Sequence, residues 1–348
     1  MSSMIYLFID MDFQEFFAGE QDNDRRLDRI LRKFLCEEAL SNLYKSLRKG
    51  LIKVNDKKAT PNLKIQTGDK ISIPQFLLNQ QNFQHKKNSE KKAAANSNNK
   101  ICYDYSLIEK NIIFKNEHII ALNKPYGINV QSSAKDAISL NSLIQNEYLS
   151  SDKSSENLSF KPGALHRLDK NTTGVLIFSQ SLAGAKWFST ILQSHQTKKI
   201  YLGILEGKLL QKQIWNANIQ KSKNKTNNFQ TVEVDNSKDS SGKSSTTIVT
   251  PLEYGIFNGK QITLAQFEIP TGRTHQIRSV SAFYNFPLLG DCAYGAQKQN
   301  LNVEYFLHSY KLILTKNELN IPIEFKAELP KDFVNFLQAS LINFNGEL

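Results

Sequence analysis

The stretch Ala164–Ser179, ALHRLDKNTTGVLIFS, constrains the fold more than any other part of the chain. Its end, Val175-Leu176-Ile177-Phe178, is an unbroken apolar run of the length that fills a central strand. Its front is the reverse. His166, Arg167, Asp169 and Lys170 stand side by side, and Asn171-Thr172-Thr173-Gly174 has the residue types of a turn. A charged loop is thus fixed to a buried strand, which is how a scaffold presents a reactive group at the rim of a cleft. The candidate reactive group is Asp169.

At 348 residues the chain has room for two domains. A net charge of +11 favours an anionic partner such as nucleic acid, although a lysine-rich composition alone gives the same number. The three cysteines, Cys36, Cys102 and Cys292, are far apart, with no CxxC or Cys/His grouping. A disulfide framework and a structural zinc site are therefore not expected, and a reducing cytoplasm is. The N-terminus MSSMIYLFIDMDF lacks a basic lead and is interrupted by Asp10 and Asp12, so it does not read as a signal peptide. No apolar run approaches the roughly 20 residues of a membrane helix.

Residues 1–25 are acidic and hold a strand-like lead, Ile5–Ile9. From Arg26 the character changes. Leu27, Ile30, Leu31, Phe34 and Leu35 fall on one helical stripe, with Arg26, Arg29, Arg32 and Lys33 on the other face. Leu40, Leu43, Tyr44 and Leu47 repeat the spacing, Arg48 and Lys49 suit the helix C-terminus, and Gly50 can cap it. Strands are expected at Leu51–Val54 and Lys70–Ile73. Between Arg26 and Gln75 there are 12 Lys/Arg against 5 Asp/Glu, a charge balance able to track phosphates. Residues 76–100 are rich in Asn, Gln, Lys and Ala and read as a flexible tether, placing a linker at 76–105.

The second domain, 106–348, opens with two strands, Asn111–Phe114 and His118–Asn123, and a breaker, Lys124-Pro125-Tyr126-Gly127. Ser181 can cap a helix with Ala185, Phe188, Ile191 and Leu192 on one face. Residues 198–207 read as a strand carrying Tyr201, a position that ordinarily means packing. Residues 210–250 suggest hairpins and a surface loop. Pro270-Thr271-Gly272-Arg273-Thr274-His275-Gln276-Ile277-Arg278 is followed by Pro287-Leu288-Leu289-Gly290-Asp291 and Tyr294-Gly295; two arginines bracketing His-Gln are not a generic surface pattern. Phe306–Ser309 and a C-terminal helix in LPKDFVNFLQ complete the chain.

HRLDKNTTG, IIFKNEHIIALNKPYGINVQ, GRTHQIR, PLLGD with YG, and FLHS together resemble the motifs of RluA-type pseudouridine synthases, in the branch acting on 23S ribosomal RNA. RLDRILRKFL, LRKGLIKVN and GDKISIP resemble the S4 RNA-binding domain that accompanies them. The departures are Thr173 for a commoner serine, Ser279-Val280-Ser281 where a Val-His pair is frequent, and Ser309 for alanine. The resemblance implies an α+β architecture: a small S4-type RNA-binding domain over 26–75, tethered to a catalytic domain with a mixed, mostly antiparallel sheet and flanking helices, the cleft crossing the middle of that sheet.

It further implies the isomerisation of uridine, in which a C–N glycosidic bond breaks and C5 joins the same sugar carbon. No electron leaves and no phosphate moves, so neither cofactor nor metal is expected. Asp169 is the essential carboxylate, Arg278 the cation that keeps it ionised, and Tyr201 the ring beneath the base. The target base must leave its stack, at a cost of a few kcal/mol. Arg167 either fills the vacated space or contacts phosphate. Arg273, His275 and Gln276 are expected at RNA, as are Arg26, Arg29, Arg32, Arg48 and Lys49. The expected partner is RNA, the state a monomer, the location cytoplasmic and away from membrane, with His308 structural. Competing readings are a non-catalytic RNA-binding or ribosome-assembly protein, a synthase acting on transfer RNA, and a glycosidase, which would need a second placed carboxylate.

Overall fold

The apolar stripe of the first amphipathic segment sets the first of two units. In the computed structural model, which describes residues 12–35, 38–78, 104–132, 138–154, 156–194, 196–222, 231–236 and 242–346 apart from 317, 343 and 345, one unit takes the described residues up to 78 together with 145–162. The other takes 104–144 with 163–346. The expected lead strand at Ile5–Ile9, and most of the expected tether, lie outside the described residues.

The first unit contains β1 (Phe13–Phe17), β2 (Arg25–Arg26), α1 (Leu27–Phe34), α2 (Leu40–Arg48), β3 (Lys53–Val54), β4 (Lys57–Lys58), β5 (Lys64–Ile65) and β6 (Lys70–Pro74). Leu27, Ile30 and Leu31 of α1 meet Leu43 and Leu47 of α2 in one core with Ile52, Ile65, Ile71 and Ile73. Leu77 and Leu78 are buried in the same core. Each such side chain contributes about 1.5–3 kcal/mol by leaving water. Arg29, Arg32 and Lys33 remain exposed. The sheet order is β1-β6-β3-β4, and Asn55 and Asp56, both at positive φ, form the two-residue turn between β3 and β4. Residues 157–159 join this unit through Asp22, which is fully buried and accepts from the N–H of Leu158 (2.8 Å), the Ser159 hydroxyl and the N–H of Gly19 (3.2 Å). Three donors satisfy the carboxylate.

The second unit is built on β7 (Ile112–Lys115), β8 (Ile119–Lys124), β9 (Gly163–Ala164), β10 (Thr173–Ser179), β11 (Thr197–Glu206), β12 (Gln213–Lys221), β13 (Val232–Asp235), β14 (Lys243–Phe257), β15 (Lys260–Glu268), β16 (Leu307–Leu314) and β17 (Glu324–Lys326). Its helices include α3 (Leu182–Gln193), α4 (Gln276–Phe283) and α5 (Lys331–Ala339). The sheet runs β13-β12-β14-β15-β11-β16-β10-β8-β7, with β9 on β10 and β17 on β16. Every pairing is antiparallel except β10 with β16, so the mixed, mostly antiparallel α+β architecture is the one observed. Strands β12 and β13 account for the expected hairpins between 210 and 250.

All seven residues of β10 are buried, as its apolar run requires. The strand begins two residues earlier than that run, because Thr173 and Gly174, read from sequence as turn residues, already pair with His308 and Ser309. Gly174 sits at φ +104, and a Cβ there would lie 2.2 Å from the Ser309 carbonyl oxygen. Only glycine permits that approach. The Ser181 hydroxyl accepts from the N–H of Gly184 at 3.0 Å and caps α3, whose Trp187, Phe188 and Ile191 pack on Val175 and Ile177. A second cluster joins Leu202, Ile204 and Leu264 to Phe333 and Phe336 of α5.

Candidate active site

The loop ahead of β10 is held from both ends. The Leu165 N–H donates to the Ile177 carbonyl at 2.8 Å, and the Ile177 N–H donates to His166 Nε2 at 3.0 Å. The His166 ring stacks on Phe188, and burial, with the nearby charge of Lys199, pushes its pKa down to about 3. His166 is therefore a neutral strut, and the loop's charge reduces to Arg167, Asp169 and Lys170. Beyond Asp169 the turn is stapled by Lys124. Its fully buried ammonium donates to the carbonyls of Pro125, Lys170 and Thr172 at 3.0, 2.8 and 2.9 Å. Burial lowers its pKa to about 7 against the opposing charge of Asp169. The KPYG breaker, read from sequence only as a fold element, thus supplies the cation that fixes the Asp169 turn.

Asp169 opens onto a cleft of about 360 Å³ lined by residues 166–169, Thr172, Leu192, Lys199, Tyr201, 269–278 and Leu307. Its Oδ2 lies 3.6 Å from Arg278 Nη1, and its Oδ1 lies 3.6 Å from His275 Nε2. The shorter bonds of Arg278 go elsewhere. Its Nε and Nη2 donate to the two oxygens of Asp291, each at 2.7 Å, a bidentate pair that leaves Nη1 directed at Asp169. The guanidinium carbon is 4.4 Å from the Tyr305 ring centroid and 5.1 Å from that of Tyr294. Burial would lower the pKa of Arg278, but the hydrogen bonds to Asp291 and the surrounding acidic groups raise it above its ordinary value. A permanent cation is therefore locked in a water-poor wall. His275 stands in the left-handed region, φ +52, immediately before α4, so His275 and Arg278 share the face of one turn.

Tyr201 is 7% exposed and lines the same cleft from β11. The pairing of β11 with β16 shifts register between Ile200 and Tyr201, the kind of irregularity that re-aims a side chain. Burial, working against a hydrogen bond with Ser309, pushes the phenol up to about 12, so it keeps its proton at neutral pH. Three residues from three distant segments of the sequence thus line one cleft.

The expected RNA contacts divide into groups. Arg167 is exposed at the cleft. Arg273 is exposed with its Nε donating to the Ser244 carbonyl at 3.2 Å. Gln276 is turned inward. It is 3% exposed, its Oε1 accepts from Thr271 Oγ1 and the Arg273 N–H, and its Nε2 donates to the Thr246 carbonyl and Thr247 Oγ1. No part of its amide is left for RNA, and it braces the loop that carries Arg273. In the first unit, Arg29, Arg32, Arg48 and Lys49 are exposed, while Arg26 forms a two-point pair with Asp28 at 3.1 and 2.9 Å. His308 is fully buried between Thr173 Oγ1 (2.7 Å) and the Ala327 carbonyl (3.2 Å). Asp291, Lys124, Tyr294, Tyr305 and Lys199 were not singled out from sequence. Three of them stood in quoted motifs without a role: Asp291 as the acid ending PLLGD, Tyr294 in the YG that follows, and Lys124 in KPYG.

Residues 118–283 match the RNA pseudouridylate synthase family. The chain is 30% identical over 310 residues to the ribosomal large subunit pseudouridine synthase C of Rickettsia bellii, covering 88% of this chain and 95% of that protein. It is 32% identical over 249 residues to the ribosomal large subunit pseudouridine synthase D of Borreliella burgdorferi, covering 68% and 70%. Among solved structures, human RNA pseudouridylate synthase domain containing 4 shares the fold with a TM-score of 0.54 at 18% identity, over 69% of this chain and 96% of that one. The fold and these likenesses define the class, enzymes that isomerise uridine in RNA. The chain belongs to the RNA pseudouridylate synthase family and is a pseudouridine synthase.

Proposed function

We propose that this enzyme converts particular uridines of 23S ribosomal RNA, with Asp169 as the essential carboxylate, Arg278 as its counter-cation and Tyr201 as the ring beneath the flipped nucleoside. The observation that carries the site assignment is the 3.6 Å approach of Arg278 to Asp169 in the cleft that Tyr201 also lines. The names of the bacterial relatives, both ribosomal large subunit synthases, support the choice of RNA.

The reaction needs no outside reagent. The bond from C1′ to N1 breaks, C1′ joins C5, the proton leaves C5, and N1 ends protonated. An ionised carboxylate beside C1′ serves as nucleophile or steadies positive charge there, and Arg278 sets a positive charge against it. Tyr201, still protonated, stacks on the uracil and can pass a proton. Arg167 and Arg273 meet the backbone or fill the space the base vacates, which offsets part of the few kcal/mol of unstacking. The first unit acts as an S4-type RNA-binding domain whose exposed Arg29, Arg32, Arg48 and Lys49 follow phosphates. The enzyme works as a monomer in the cytoplasm, away from membrane; among the described residues no helix is long and apolar enough to cross one.

The test has two arms. Asp169→Asn should bind a large-subunit ribosomal RNA transcript as tightly as wild type and form no pseudouridine. Pseudouridine mapping of cellular RNA should lose discrete sites in 23S RNA when the gene is removed. Losses confined to transfer RNA would overturn the choice of substrate, and a fully active Asp169→Asn would overturn the site.

A further inference from the structure

We propose that Tyr294 is a positioning residue that holds His275 in the tautomer protonated on Nε2, so that the imidazole turns an N–H rather than a lone pair toward Asp169. This rests on Asp169 being the reacting carboxylate.

The Tyr294 hydroxyl lies 2.8 Å from His275 Nδ1 and accepts the N–H of Val232 at 3.1 Å. A phenol has one proton to give. With Val232 on a lone pair, that proton is free to point at Nδ1, which then accepts and carries none. The opposite tautomer fails at both ends. It would set an Nδ1–H against the phenol oxygen, leaving the phenol proton without an acceptor among the described residues. It would also aim the Nε2 lone pair at the Asp169 carboxylate, 3.6 Å away, so that two acceptors face each other. Both ends therefore select the same form. The imidazole meets Tyr294 edge-on, with centroids 5.9 Å apart at 88°, so the phenol stands beside Nδ1 rather than over the ring face.

The protonation states fit. Burial pushes the Tyr294 phenol up to about 12, so it keeps its proton, and burial is the main cause of a lowered pKa at His275, which favours the neutral ring whose tautomer is at issue. Asp169 then faces an N–H on each oxygen, one from His275 and one from Arg278. Tyr294 supports both, since its ring also lies under the Arg278 guanidinium. Val232 belongs to β13, so that strand reaches the carboxylate through one hydroxyl and one imidazole.

The test is nitrogen NMR on full-length protein labelled at histidine, with the His275 signals assigned by difference from His275→Gln. Wild type should show Nδ1 unprotonated and Nε2 protonated. Tyr294→Phe should shift both signals toward a mixture of tautomers. Its single-turnover isomerisation of a saturating large-subunit ribosomal RNA transcript should fall at least about tenfold, with Kd unchanged. A wild-type His275 carrying its proton on Nδ1 overturns the proposal, as does a Tyr294→Phe variant with unchanged signals and rate. The tautomer is read without turnover, so a failure here is distinct from failure of the Asp169 assignment, which Asp169→Asn tests.

Discussion

Two arginine–aspartate pairs in this enzyme have nearly the same geometry and opposite physical meaning. Arg26 and Asp28 make a two-point contact two residues apart, with side chains 43% and 7% exposed. Arg278 and Asp291 make another, thirteen residues apart, with side chains 10% and 2% exposed. Where solvent reaches the cation, as it reaches Arg26, such a pair contributes about 0–1 kcal/mol, and Asp28 keeps a second donor in the Tyr44 hydroxyl at 2.9 Å. Out of water neither partner can be left alone. The first pair decorates a helix start; the second holds a cation whose remaining N–H faces Asp169.

The comparison can be broken by removing each acid or altering each base. Asp291→Ala leaves a buried guanidinium with only Asp169 to answer it and should cost about 3–5 kcal/mol in denaturant unfolding of the catalytic unit. A loss below about 1 kcal/mol would place Arg278 in an environment as wet as that of Arg26. Arg278→Lys keeps the charge and loses the fork, so single-turnover rates should fall about a hundredfold at unchanged RNA affinity. Arg26→Ala should change stability by under about 1 kcal/mol and leave the rate alone.

Acid should separate the two units as well, since the described histidines all lie in the catalytic one. Burial depresses His166 to about 3 and His308 to about 4 from an ordinary 6.5. Between pH 6.5 and about 4 the unfolded chain binds protons that the folded rings refuse. Stability is therefore full above about 6.5 and falls with pH below it, by about 1.4 kcal/mol per unit for each ring. Thermal unfolding followed across that window should show the catalytic unit weakening and the first unit flat; a flat catalytic transition would mean that these rings take up protons within the fold.

Much of this was legible in the sequence where the cause is local. The stripe Leu27-Ile30-Leu31 gave α1, and the run Val175–Phe178 gave the buried strand, because periodicity and burial are the same fact seen twice. The fold class and the family followed from motifs. What stayed hidden depends on partners distant in sequence. Gln276 sits in a charged phrase and reads as an RNA contact, yet Thr246 and Thr247, thirty residues earlier, absorb its amide. Lys124 looks like turn punctuation until the carbonyls of Lys170 and Thr172 surround it. Residues 157–159 carry no mark of the first unit in their sequence, yet buried Asp22 holds them to it.

The close pass of Gly174 beneath the Ser309 carbonyl has a consequence for how this protein can change over generations. Even alanine would have to displace main chain rather than a yielding side chain, and β10 and β16 would part five positions from Asp169. A saturation library across 164–179 should recover conservative exchanges at Val175 and Ile177 and only the parental residue at 174. A position with no reactive atoms of its own is then held as narrowly as the essential carboxylate.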